Sequence, residues 1–144
     1  MRMLNMVVDD KKINLELRDS ITVICGDSAT GKTYLYETLR DAENTENMYF
    51  LNYNSIKTYE NYLSAIDFLR NKRNKLIILD QADDVQNLYN GEIMEEININ
   101  TNNHYFIIIG RQPNLSYFYS DIATVVIKDN TISLEYIANK PLFK

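Results

Sequence analysis

The chain reads as an α/β domain in which a mainly parallel sheet lies between helical layers, with an N-terminal hairpin and a C-terminal antiparallel pair forming a sheet edge. Three observations predict this. Short β-branched apolar runs recur along the chain, segments with helical spacing separate them, and the last two runs are joined by the tight turn Asp129-Asn130.

In order, Met6–Val8 and Ile13–Leu17 read as the opening hairpin, with Asp9-Asp10-Lys11-Lys12 as its polar turn. Ile21-Thr22-Val23-Ile24-Cys25 suits a strand covered on both faces. Thr33–Arg40 carries Leu35 and Leu39 four residues apart, a helical spacing. Met48–Tyr53 reads as a strand, and Lys57–Asn71 as a helix with Tyr59, Tyr62, Leu63, Ile66 and Leu69 on one face. Leu76–Leu79 is a strand ending at Asp80, and Asp84–Ile97 a helical region that Gly91 weakens or breaks. Tyr105–Ile109, Ala123–Lys128 and Thr131–Ile137 complete the strands. Strands alternating with helices imply right-handed crossovers.

With 144 residues, 45% hydrophobic and 24% charged, and neither repeat nor linker, the chain is expected to form one domain over 1–144. No apolar stretch reaches the length of a membrane span, and Met1-Arg2-Met3-Leu4-Asn5 lacks the apolar run of a secretion signal, so a cytoplasmic protein is expected. The single cysteine, Cys25, precludes an internal disulfide and a multi-cysteine zinc site, and its apolar strand predicts a buried, inert thiol. A net charge of -5 argues against a general nucleic-acid binder. Nucleic-acid contact stays open only at Arg70, Lys72, Arg73 and Lys75, whose plainer reading is a solvated helix end complementing the helix dipole. His104, the only histidine, falls in an expected loop and receives no role.

The segment Gly26-Asp27-Ser28-Ala29-Thr30-Gly31-Lys32-Thr33 matches G-x-x-x-x-G-K-[ST] at every fixed position. Chance alone would give such a match in this composition roughly once in a thousand chains, and the apolar strand before it and helix after it are the context the motif needs. Glycines let backbone N–H groups turn toward a phosphate, Lys32 supplies a compact positive charge, and Thr33 supplies a hydroxyl for Mg²⁺. The segment resembles the Walker A motif of P-loop NTPases. That resemblance implies a three-layer P-loop fold binding a nucleoside triphosphate with Mg²⁺, through Gly26, Asp27, Ser28, Ala29, Thr30, Gly31, Lys32, Thr33 and the adjoining Tyr34.

Lys75-Leu76-Ile77-Ile78-Leu79-Asp80 is similar to Walker B, which makes Asp80, with Thr33, the expected metal ligand. The plainer reading of Asp80 is a cap on the strand end or the next helix. In the additional-strand group of ATPases a glutamate commonly follows this aspartate. Here the run is Asp80-Gln81-Ala82-Asp83, and an amide orients water without accepting its proton, so slow hydrolysis is expected unless Asp83 or Asp84 substitutes. Either aspartate could equally cap the following helix. Tyr105–Ile109 followed by Gly110-Arg111-Gln112 resembles the group's sensor strand, with Arg111 placed to meet a γ-phosphate or else at the surface, and Gln112 as a second candidate. The catalytic set implied is Lys32, Gln81, Asp83 and Arg111.

GTPase signatures are missing, since Asn71-Lys72-Arg73-Asn74 lacks the aspartate that reads guanine and Asp80-Gln81-Ala82-Asp83 lacks a closing glycine; ATP is favoured. No L-S-G-G-Q-like signature of transport ATPases stands between Arg40 and Leu76, and the helical lid of AAA-type machines is not expected. The reading is a Mg-dependent ATP-binding protein, a slow ATPase coupling nucleotide state to a partner protein or a second copy. The alternatives are a non-hydrolysing regulatory module and a small-molecule or nucleotide kinase, the last poorly served by a second half without clustered arginines. Tyr117-Phe118-Tyr119 reads as core aromatics or as a partner contact.

Overall fold

A computed structural model describes residues 1–26, 31–42, 47–111 and 121–137 of the chain. Their elements are β1 (Arg2–Val8), β2 (Lys11–Leu17), β3 (Ile21–Ile24), α1 (Lys32–Asp41), β4 (Met48–Leu51), α2 (Tyr53–Ile56), α3 (Tyr59–Asn71), β5 (Lys75–Leu79), α4 (Ala82–Val85), α5 (Glu92–Ile99), β6 (His104–Ile109), β7 (Asp121–Lys128) and β8 (Thr131–Tyr136), with a 3₁₀ turn over Leu88–Gly91. The strands form one sheet in the order β1-β2-β8-β7-β3-β6-β5-β4. From β7 to β4 neighbouring strands run parallel, while β7 with β8 and β1 with β2 are antiparallel.

The C-terminal pair is antiparallel as the turn chemistry predicts, with Asp129 (φ 53°) and Asn130 (φ 59°) both left-handed. It does not form the sheet edge. The outer side of β8 carries unpaired backbone groups that the N-terminal hairpin satisfies: β2 lies parallel to β8, and the Lys12 N–H is donated to the Asn130 carbonyl at 2.8 Å. The described sheet therefore ends at β1 and β4.

Alternate residues of the central strands feed two cores. On one face Val23, Ile77, Leu79, Phe106 and Ile108 pack with α2 to α5; on the other Ile24, Ile78, Ile107 and Ile109 pack with Leu35 and Leu39 of α1 and with β1 and β2. The apolar stripe of α3 is Tyr62, Ala65, Ile66 and Leu69. Leu63 is 44% exposed because it sits about 100° around the helix from Tyr62. Tyr59, in the first turn, is also exposed and meets the Tyr89 ring edge-on. The expected helix over Asp84–Ile97 is two helices, divided where Tyr89 (φ 45°), Asn90 (φ 63°) and Gly91 (φ 72°) are left-handed in succession. His104 is not in a loop: it begins β6 and is 3% exposed.

Candidate functional site

Every parallel strand but β7 delivers a residue of interest to one rim of the sheet. In the register of these strands Ile24 lies beside Ile109, and Leu79 beside both Ile108 and Leu51. Asp80 after β5, Gly110 after β6 and Asn52 after β4 come next, and with Gly26, which follows β3 after Cys25, they emerge together.

Asp27, Ser28, Ala29 and Thr30 lie outside the described residues; the loop's two ends are described. Gly26 has φ 132° and Gly31 φ 92°. At Gly31 the sheet leaves little room, since an added Cβ would lie 2.8 Å from Ile127 Cδ1 and 3.3 Å from Val125 Cγ1 of β7. The left-handed backbone is what calls for glycine where the chain turns into α1, since Ile127 Cδ1 is the free end of a partly exposed side chain that can move aside. Lys32 opens that helix, is 7% exposed, and donates from Nζ to the carbonyls of Gly26 and, at 3.3 Å, Gly110. Among the described residues this buried ammonium is held by neutral carbonyls with no carboxylate in contact, and an anion arriving here would supply a counter-charge.

Across the rim Asp80 accepts the Gln81 N–H at 2.9 Å, and its own N–H goes to Leu51 O at 2.8 Å. Burial pushes its carboxyl above the usual carboxylate range, against the opposing pull of the Gln81 N–H and the charge of Lys32. Gln81 is left-handed (φ 58°, ψ 41°), a strained setting for a residue other than glycine, and its side-chain oxygen accepts the Tyr53 N–H at 3.2 Å. Neither Asp83 nor Asp84 caps α4: both lie inside its first turn and Gln81 stands at the cap position. Asp83 instead accepts the Arg111 backbone N–H at 2.6 Å, with the guanidinium Nε at 3.8 Å. The Arg111 side chain is 68% exposed.

Lys32, Thr33, Asp80, Gln81, Asp83 and Arg111 thus line one cleft of about 240 Å³. A groove of about 400 Å³ continues from it over Thr33, Glu37 and Arg40 of α1 toward Asn52 and Asn54, sharing Asp80 and Gln81. Tyr34, the residue after Thr33, lies beneath the Lys11 ammonium, 5.0 Å from ring centre to Nζ. Gln112 and Tyr117-Phe118-Tyr119 fall outside the described residues. Sequence reasoning missed the Gly110 carbonyl that receives Lys32 and the Tyr53 N–H that holds Gln81. Both are backbone groups, visible only once strand register is known.

Of the remaining residues, Cys25 is buried and its thiol is pushed upward by that burial, as its apolar strand predicts. Arg70, in the last turn of α3, pairs with Glu96 of α5 at 3.0 Å.

No family model matches the chain, and no curated protein does. Among 14 matching chains of solved structures, one from the structure of Drosophila ORC bound to DNA aligns with a TM-score of 0.53 and 18% identity. The match covers 76% of this chain and 37% of that one, so it spans little more than a third of the neighbour's length. The likeness is one of fold alone, a mixed α/β arrangement shared over that part of the chain. Among the described residues no helix is long and apolar enough to cross a membrane.

Proposed function

We propose that the chain is an ATP-binding protein of the P-loop NTPase superfamily, with the three-layer fold of the additional-strand group, whose slow Mg-dependent hydrolysis couples nucleotide state to a partner. The observation that carries this reading is the convergence of Lys32, Thr33, Asp80 and Arg111 on one cleft at the carboxyl rim of the sheet. The position of β6 between β3 and β5 supports the additional-strand assignment, because it separates the Walker A strand from the Walker B strand. Helices packed on both faces of the central strands support the layering.

In this reading Gly26 to Thr33 wrap the polyphosphate, Lys32 exchanges its two carbonyl acceptors for phosphate oxygens, and α1 adds the positive end of its dipole. Thr33 and Asp80 line the same cleft, a fit for Mg²⁺ that takes its other ligands from water and phosphate. The described residues contain no cluster of three His, Cys, Asp or Glu able to hold a metal without the nucleotide. Bound Mg²⁺ would neutralise charge on the phosphates.

Arg111, beside the cleft and anchored through its backbone to Asp83, is placed to answer the γ-phosphate. Its contact with Asp83 also weakens the case for Asp83 as a free base. One observation favours the non-hydrolysing module as second reading: Gln81 cannot accept a proton, and its side-chain oxygen is already engaged by Tyr53. DNA binding belongs to the ORC structure, and nothing in the cleft calls for it here.

A single-turnover assay with Mg-ATP tests the assignment. Wild type should bind ATP and hydrolyse it slowly, and Gln81→Glu should hydrolyse faster. A glutamate variant that binds ATP with no gain in rate removes Gln81 as the cause of slow turnover.

A further inference from the structure

β1 is the first strand of the sheet, and among the described residues no strand covers its outer side. Which backbone groups face that side follows from the register. The Lys12 N–H is donated toward β8, so the even-numbered residues of β2 face β8 and the odd-numbered ones face β1. Leu17 pairs with Arg2, Leu15 with Leu4 and Ile13 with Met6, so the even residues of β1 bond to β2. The N–H and C=O groups of Met3, Asn5 and Val7 are left facing outward, and no hydrogen bond among the described residues reaches them. Natural edges are commonly guarded by lysine, proline or a bulge. From Met3 to Val8 β1 has none of these, and its one charged residue, Arg2, stands at the strand's end. Its unprotected face instead exposes Met3 (49%) and Val7 (67%) on either side of Asn5.

The strand is complementary to itself. Turned antiparallel about Asn5, Met3 of one copy faces Val7 of the other, Leu4 faces Met6, and Arg2 faces Val8 beside the Asp9-Asp10 turn. Arg2 lies over the Tyr105 ring and has no carboxylate partner among the described residues, so the acidic turn of a second copy complements it. All three outward-facing residues then exchange hydrogen bonds, with two apolar cross-strand pairs on one face. On the other face a groove of about 470 Å³ runs between Leu4, Met6 and Val8 of β1 and Ala42 and Met48, with Asp41 and Asn47 on the same wall, and it has room for the Leu4 and Met6 side chains of the added strand.

We infer that β1 is a homodimerisation edge, at which two copies join antiparallel about Asn5 so that their sheets become continuous. An isologous contact of this kind closes on itself and gives a dimer, not a fibre. The inference is independent of the nucleotide reading, so Lys32→Ala should dimerise as wild type does.

Sedimentation of the full chain over a range of concentrations should show a reversible monomer–dimer equilibrium. Val7→Lys, at an exposed position that leaves folding intact by circular dichroism, should weaken it roughly tenfold. Thiol cross-linking then reads the register, with buried Cys25 leaving wild type as the blank. Asn5→Cys should cross-link with itself. Met3→Cys and Val7→Cys should do so only when mixed with each other. A wild-type chain that sediments as a monomer throughout, a Val7→Lys chain that dimerises undiminished, or Met3→Cys that cross-links alone as readily as Asn5→Cys would each overturn the inference.

Discussion

The two rims of the parallel sheet treat buried polar groups in opposite ways. At the amino rim they are satisfied by the protein itself. Glu96, 7% exposed, receives Arg70 at 3.0 Å and the Asn100 amide at 3.1 Å. His104 accepts the Lys75 N–H at Nδ1 and gives Nε2–H to Leu69 O. At the carboxyl rim the groups are held but not matched among the described residues: Lys32 has carbonyls where a counter-ion would serve better, Asp80 receives one backbone N–H against its burial, and Gln81 occupies strained backbone. A fold that can close one rim and leaves the other unmatched is carrying unfavourable terms that a ligand of the right charge would relieve. The amino rim is built for stability, and the carboxyl rim for something it does not itself contain.

The sharpest way to break this contrast is Lys32→Ala. Calorimetry should show ATP affinity falling by at least about a hundredfold, near 3 kcal/mol, as expected when a charged hydrogen-bond donor to phosphate is lost. Denaturant unfolding of the ligand-free protein should barely change, because the residue removed was a poorly compensated buried ammonium. Undiminished ATP affinity would take Lys32 out of the site.

Gly31→Ala comes next. The new Cβ must adopt φ 92° and displace Ile127 and Val125, so the chain should lose about 2 kcal/mol of stability, measured by urea unfolding. A neutral result would mean that the turn into α1 is free to relax, and with it the loop in front.

How much of this could be read from the residues alone depends on the kind of information each feature carries. The strand–glycine–helix order, Lys32, Thr33 and Asp80 are local patterns, and the structure brings the three side chains to one cleft. The splitting of Asp84–Ile97 was half legible: Gly91 marked the weak point, but left-handed Tyr89 and Asn90 have no propensity signal of their own. The short helix α2 was hidden because Asn52 and Ser55 form a reciprocal cap over too few residues to show a period. Sheet order is a pairing of distant segments, which is why the β2–β8 contact displaced the expected C-terminal edge. His104 was misplaced for a related reason, its ring being taken up by backbone groups of β5 and α3.

That histidine tests the amino rim. Burial holds its imidazole below the ordinary value of 6.5, with the backbone bond to Leu69 opposing and the charges of Arg73 and Lys75 adding to the shift. The folded state therefore binds this proton less readily than the unfolded chain. The stability linked to His104 is complete above about pH 6.5 and is lost as pH falls from there toward the folded value. His104→Phe should flatten that acid limb and cost about 1 to 2 kcal/mol at neutral pH, since Lys75 N–H and Leu69 O lose their partner. An acid limb unchanged in the variant would assign it elsewhere.

Asp80 tests the other rim with the opposite sign and the smallest effect. Its carboxyl is raised above 3.8 by burial, so the folded state resists its ionisation. The stability linked to it is complete below about pH 3.8 and is lost as pH rises through the folded value, which leaves a penalty at neutral pH. Asp80→Asn keeps the shape and removes the charge. The ligand-free variant should be more stable than wild type at neutral pH, by on the order of 1 kcal/mol, while Mg²⁺ should no longer enhance its affinity for ATP. The two measurements must move in opposite directions. If the asparagine variant is instead destabilised and keeps its Mg²⁺ dependence, Asp80 belongs with Glu96 and His104 as a structural residue, and the contrast between the rims fails at the position where it is most exposed to test.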